Sequence, residues 1–287
     1  MCTSEQIQLY KQQGFLLLDS VFSDEEMDEC CREYDAMFER ATKRGDRLEA
    51  TWKGNWKTDE ERKKPSSILS IHNLQFHSAT FTRMLVKPKL NDILADLMET
   101  DNIQLHHTKA HIKPPKQGSR FPMHQDYQYF PHAKHTMIAV FIHLEDVNIE
   151  NGCLAVYPGS HKLGPLPDHG SEGYHFVDPE KFAIDNATPI EAKRGQVVVF
   201  PYTLVHGSYP NVSDIPRRMI LFQLRAADDY STKEIHISPG QGLMLRGAND
   251  GMEANLDLRH LHGDEAVASA KAASEFNEPP EKIFKDK

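Results

Sequence analysis

The strongest constraint on the fold is a change of texture near Asp101. Beyond it, short β-prone runs recur at 103–112, 136–143, 153–157, 196–200 and 219–224, separated by Gly, Pro, Asn and Asp. Runs this short bury a face only by stacking as antiparallel sheets or closing into a barrel. Upstream the pattern is helical. Thr3 and Gln6 form a capping box, and Gly14 supplies a stop. The apolar run after Gly14 suits a buried strand. Ser23 and Glu26 repeat the box ahead of Met27, Cys30, Cys31, Tyr34, Met37 and Phe38, whose spacing is that of an amphipathic helix. Pro88 opens a third helix, with Leu90, Ile93, Leu94, Leu97 and Met98 along one side. The expectation is one α+β domain over residues 1–250. Helices of the first 100 residues pack outside a mainly β core at 101–230, and a polar extension follows at 251–287. The charge-rich segment 42–64, with Trp52 and Trp56, reads as a loop or a lid.

Composition narrows the function. Lys and Arg number 33 against 42 Asp and Glu, a formal charge of −9, so nothing global draws this chain to nucleic acid or an anionic membrane. At 39% hydrophobic residues it is too apolar for global disorder. No apolar run approaches the roughly 18 residues of a membrane span. The four cysteines (Cys2, Cys30, Cys31, Cys153) lack C-x-x-C spacing, and the first residues carry no basic or apolar leader pattern. Reduced thiols and a cytoplasmic location are expected, with the sequons at Asn186 and Asn211 incidental. The unusual count is 16 histidines, more than packing normally uses.

A His-x-Asp or His-x-Glu pair on one strand presents both side chains to the same face, and a distant histidine completes a metal site. With 42 acidic residues and 16 histidines in 287, about two such pairs arise by chance, and three occur: His124-Gln-Asp126, His143-Leu-Glu145 and His262-Gly-Asp264. Context separates them. His262 has no later histidine, and Glu145 opens a polar stretch that reads as an exposed turn. His124 and Asp126 lie among aromatic residues, His206 follows a β-prone run, and Arg217 comes eleven residues later. An arginine directed into a barrel mouth is costly unless an anion meets it, and its guanidinium grips a carboxylate with two bonds.

These residues, with Asn151-Gly-Cys-Leu, Pro158-Gly-Ser-His161 and His206-Gly-Ser208, resemble the phytanoyl-CoA dioxygenase family of iron(II)/2-oxoglutarate oxygenases over about residues 14–225. The resemblance is closest in texture to members of the hypophosphite and phosphonate dioxygenase type. It implies a double-stranded β-helix, a cupin-like jelly roll. It also implies that His124, Asp126 and His206 ligate Fe(II), and that Arg217 and Ser208 hold the distal carboxylate of 2-oxoglutarate. O2 would be consumed, succinate and CO2 released, and a small molecule hydroxylated. The carboxylate of Asp126 favours oxygenation over halogenation, since family halogenases lack it.

The run 105–113 places His107, Lys109, His111 and Lys113 on one face by period two. The resemblance puts His111 and Lys109 near the co-substrate and His107 near the substrate. Lys109, His107 and Arg120 together suit an anionic substrate. Alternatively, Lys109 and Lys113 are solvated edge charges. The chain departs from the family where Lys109 replaces an apolar Met, where Ile142 stands in the place of a Trp, and where Leu69 lies near a family lysine. Arg218 is expected on the solvent side, opposite Arg217. Three other readings remain: an acyl-CoA hydroxylase, a 2-oxoglutarate-binding sensor with little turnover, and a zinc hydrolase. A monomer or weak oligomer is favoured.

Overall fold

Local signals set the first elements. Thr3 and Gln6 cap each other reciprocally, and Gly14 at φ 84° ends helix α1 (Ser4–Gln13). Strand β1 (Leu16–Leu18) follows, and a second capping box at Ser23 and Glu26 starts α2 (Asp24–Arg44). The stripe of α2 buries Met27, Cys30, Tyr34, Met37 and Phe38, while Cys31 is half-buried with its thiol toward the Leu144 carbonyl. All four cysteines are free. The computed structural model describes residues 1–50, 57, 63, 67–170, 174–233 and 238–249. Most of the expected 42–64 loop, both tryptophans, the His262–Asp264 pair and the extension at 251–287 lie outside the described residues.

Strand β2 (Leu69–His72) precedes α3 (Ala79–Leu85) and α4 (Pro88–Met98), the latter with proline in its first turn. The remaining strands are β3 (Ile103–Lys113), β4 (Phe121–His124), β5 (Ile138–His143), β6 (Leu154–Val156), β7 (Thr188–Ile190), β8 (Val197–Pro201), β9 (His206–Ser208), β10 (Arg217–Ala226) and β11 (Met244–Arg246). A larger antiparallel sheet runs β1-β8-β5-β10-β3-β11, with β2 also on β3. A smaller one runs β4-β9-β6-β7.

The two sheets face each other across an apolar layer in which Ala139, Phe141, Val198, Phe200, Met219 and Leu221 meet Leu154, Val156 and Ile190. The alternate residues of the larger sheet, among them Val140, Ile142, Val197, Val199, Ile220 and Phe222, join α1 to α4 in a second core outside the barrel. Both faces of β5, β8 and β10 are therefore covered, which is why these strands read as unbroken apolar runs. The result is a double-stranded β-helix with helices against one wall. No helix among the described residues is long and apolar enough to cross a membrane.

Two irregularities shape the interior. Between β3 and β10, Gln223 pairs with His107 and Leu224 with Leu105, leaving His106 in a bulge. At Gly207 of β9, an added Cβ would come within 2.8 Å of the Met123 sulfur and 2.9 Å of the Phe121 carbonyl, so only glycine lets β9 lie this close to β4.

Candidate metal and co-substrate site

The site is built where the smaller sheet turns toward the larger. His124 ends β4, Gln125 is extended (φ −114°, ψ 139°), and Asp126 opens a single turn of 3₁₀ helix, Asp126–Gln128. Asp126 is thus off the strand that the sequence pattern implies. The i, i+2 relation survives because Gln125 remains extended, and its amide is tied to the Gly164 and Thr203 carbonyls. His206, first in β9, is the register partner of His124, with ring centroids 4.2 Å apart.

Each histidine directs Nδ1 to the carbonyl two residues back, His124 to Pro122 at 2.8 Å and His206 to Leu204 at 2.9 Å. A carbonyl can only accept, so Nδ1 carries the proton and the Nε2 lone pair points inward. Asp126 Oδ1 lies 3.6 Å from His124 Nε2 and 3.8 Å from His206 Nε2. One donor atom from each of the three side chains falls within 4.8 Å of the others. Burial, reinforced by His124, pushes the His206 imidazole down to about 4, so it stays neutral and able to ligate. Burial raises the Asp126 carboxyl, but His206, His124 and Lys109 outweigh it and hold the group well below the usual range. Two imidazoles and a carboxylate converging on one side of a cavity form the donor set that suits Fe(II) in oxygenases.

The sequence reading missed one contributor. Gln223 of β10 donates its amide to Asp126 Oδ2, leaving Oδ1 toward the histidines. Its signal is period two from Arg217, since 217, 219, 221 and 223 share the inner face.

The three donors line a cavity of about 120 Å³, roomy where one water needs about 10–15 Å³. Lys109, His111, Ser208 and Arg217 line it too. Arg217 is 1% exposed, and its Nε and one terminal nitrogen have no hydrogen-bond partner among the described residues. An orphaned, desolvated guanidinium is a strong demand for an anion. Lys113 is not an edge charge. It is fully buried and donates to Ser208 Oγ at 2.6 Å and to the Tyr209 carbonyl. Because Ser208 Oγ accepts there, its own O–H is left to donate.

Other residues fall elsewhere. His107 shares the inner face but packs on His106 and Phe130 rather than lining the cavity. Arg120 is half-buried ahead of β4 and does not line it either. On β5 it is Phe141 that faces the cavity, whereas Ile142 belongs to the outer core, which Leu69 also joins. Glu145 is not an exposed turn residue. It bonds the backbone and side chain of Arg218, which also pairs with Asp35 at 2.8 Å and so is ion-paired rather than solvated.

A jelly roll carrying a two-histidine, one-carboxylate cluster beside a buried, unpartnered arginine defines the frame of a 2-oxoglutarate oxygenase. Residues 10–219 match the phytanoyl-CoA dioxygenase (PhyH) family, and the chain belongs to it, a family of 2-oxoglutarate-dependent non-haem iron dioxygenases. It is 27% identical over 239 residues to a probable alpha-ketoglutarate-dependent hypophosphite dioxygenase of Stutzerimonas stutzeri, covering 79% of this chain and 80% of that one. It is 29% identical over 236 residues to an ectoine dioxygenase of Bordetella bronchiseptica, covering 75% and 72%. Among solved structures, the epimerase SnoN in complex with Fe3+, alpha ketoglutarate and nogalamycin RO superposes with a TM-score of 0.67 at 20% identity, over 91% of this chain and 96% of that one. That last likeness concerns the fold.

Proposed function

We propose that this protein hydroxylates a small anionic molecule of the phosphonate or phosphinate type. Each turnover would consume one substrate, one 2-oxoglutarate and one O2, one oxygen atom entering the hydroxylated product and the other the succinate released with CO2. His124, Asp126 and His206 hold Fe(II), which supplies the oxygen chemistry when bound. Arg217 and the Ser208 hydroxyl take the far carboxylate of 2-oxoglutarate, and His111 closes the same end of the cavity.

The observation that carries the substrate class is Lys109. Its side chain lines the cavity near Asp126, and it makes no hydrogen bond or ion pair among the described residues. Burial lowers its affinity for a proton and Asp126 partly restores it. Lys109 is half-buried, and a partly desolvated ammonium without a partner favours the arrival of an anion. Arg217 and the metal already account for the two ends of 2-oxoglutarate, so Lys109 is available to a third anionic group. The similarity to a relative named for hypophosphite supports the same reading.

The test is succinate release by the Fe(II)-loaded enzyme, offered hypophosphite, alkylphosphonates, ectoine and phytanoyl-CoA in turn. A small phosphorus anion should stimulate turnover. Lys109→Met should raise the KM for that anion about 10–100-fold, the worth of one hydrogen bond to a charged group, with the KM for 2-oxoglutarate little changed. Stimulation by a neutral substrate or an acyl-CoA, indifferent to Lys109→Met, would refute the proposal.

A further inference from the structure

One buried polar side chain, not itself in the cavity lining but paired with a residue that is, is left without a role. His143, at the end of β5, is fully buried, and neither ring nitrogen has a hydrogen-bond partner among the described residues. Whichever nitrogen carries the proton, a donor and an acceptor are both shut away from water. Buried polar atoms are rarely abandoned, and two on one ring call for an explanation.

Its surroundings supply one. His143 pairs in register with Met219, which lines the cavity, and Arg217 stands two residues before Met219 on the same face of β10. His143 and Arg217 are therefore diagonal neighbours across adjacent strands. Both are buried, and both carry polar atoms without a hydrogen-bond partner among the described residues. Burial, with help from Arg217, pushes the His143 imidazole down to about 3. The ring is thus a neutral donor that adds no positive charge to the arginine's.

We propose that His143 is a second hydrogen-bond donor to the far carboxylate of 2-oxoglutarate, acting beside Arg217. This rests on the assignment of Arg217 to that carboxylate. One carboxylate has about four lone-pair sites, enough for the guanidinium, the Ser208 hydroxyl and one imidazole N–H. The co-substrate would satisfy the orphaned atoms of both side chains in one event, and the strand pairing of β5 with β10 would fix their relative positions.

The experiment is anaerobic. Full-length protein is loaded with Fe(II) and titrated with 2-oxoglutarate, by calorimetry and by the visible charge-transfer band of the chelate. His143→Leu should weaken 2-oxoglutarate binding about tenfold while leaving Fe(II) affinity in its absence unchanged. Thermal stability of the apo protein should hold or rise, because a buried orphan has been removed. His143→Gln, which keeps an N–H donor, should recover most of the affinity. In Zn(II)-loaded wild-type protein, the His143 N–H proton, identified as the resonance missing from His143→Gln, should move downfield when 2-oxoglutarate is added.

Unchanged co-substrate affinity in His143→Leu, or an unmoved proton resonance, would overturn the proposal. So would a parallel loss of stability and Fe(II) binding that Gln does not restore, which would mark a merely structural role. Arg217→Leu separates the two levels. If it leaves 2-oxoglutarate binding intact, the assignment of Arg217 fails. If it abolishes binding while His143→Leu does nothing, only the role of His143 fails.

Discussion

Replacing Gln223 by leucine tests whether the metal cluster depends on the opposite sheet. Gln223 is fully buried and is the one residue of β10 that bonds Asp126, through Oδ2. Without it the carboxylate is free to rotate away from the two histidine nitrogens that its Oδ1 now faces at 3.6 and 3.8 Å. A hydrogen bond to a charged group contributes about 1.5–3 kcal/mol, and each 1.4 kcal/mol is tenfold in affinity. Fe(II) should therefore bind about 10–100-fold more weakly, the range typical of lost outer contacts to metal ligands. Stability should respond differently. Leucine takes a donor from Asp126 but also removes the Gln223 carbonyl, which is buried without a partner among the described residues. These effects oppose each other at about 1–3 kcal/mol apiece, so the apo Tm should move little. Anaerobic calorimetry with Fe(II), alongside thermal unfolding of the apo protein, reads both quantities. An Fe(II) affinity unchanged in a well-folded variant would refute the reasoning, because Asp126 would then be positioned by its own turn alone.

Two further predictions follow from the fold. Gly207→Ala would push a methyl group into the Met123 sulfur and the Phe121 carbonyl, prising β9 from β4 and His206 from His124. A loss of about 1–3 kcal/mol in urea unfolding together with weakened Fe(II) binding is expected, and wild-type values for both would show that the strands tolerate separation. For His143, the folded value near 3 lies below the roughly 6.5 of an unfolded histidine. The unfolded chain binds the extra proton between these values, so the neutral ring's contribution is complete above about pH 6.5 and is lost as pH falls toward 3. The slope approaches about 1.4 kcal/mol per pH unit. Apo His143→Leu should lack that component in urea melts, and parallel wild-type and variant curves from pH 7 to 4 would contradict it.

How far the sequence disclosed this protein depended on whether a signal was local. Capping boxes at Thr3 and Ser23 placed the starts of α1 and α2 to the residue, because both partners lie within one turn, whereas α2 runs on to Arg44 past the expected loop start at Thr42. The five β-prone runs correspond to β3, β5, β6, β8 and β10 within about two residues, since strands covered on both faces announce themselves by composition alone. The unseen strands are short; three carry breakers, Pro122 in β4, Pro189 in β7 and Gly207 in β9, while β2 and β11 have only four and three residues. They are strands only because their neighbours pair with them. In the site, His124, Asp126, His206 and Arg217 were recognisable from spacing and motif order. Gln223 was not, because an ordinary glutamine acquires a contact of this kind only from what the fold places opposite it. The same limit explains Ile142: one residue of strand phase decides whether it or Phe141 meets the cavity.

The larger sheet divides its labour by that phase. Its outward row is apolar and packs against the helices, whereas its inward row holds Arg217 and Gln223 on β10 and Lys109, His111 and Lys113 on β3. Among the residues lining the cavity, Asp126 is the one carboxylate, and it acts on Lys109, whereas Arg217 feels Glu145 from outside the lining. A bound divalent ion would add positive charge to a wall already short of anions. An interior of this kind is electrostatically incomplete as a protein core, since a buried cation such as Arg217 is unfavourable without a counter-charge. With the co-substrate placed as proposed, its two carboxylates offset the metal and Arg217, and Lys109 is left without an ion-pair partner among the described residues. The proposed anionic substrate therefore draws on the charge of this wall as well as on the resemblance.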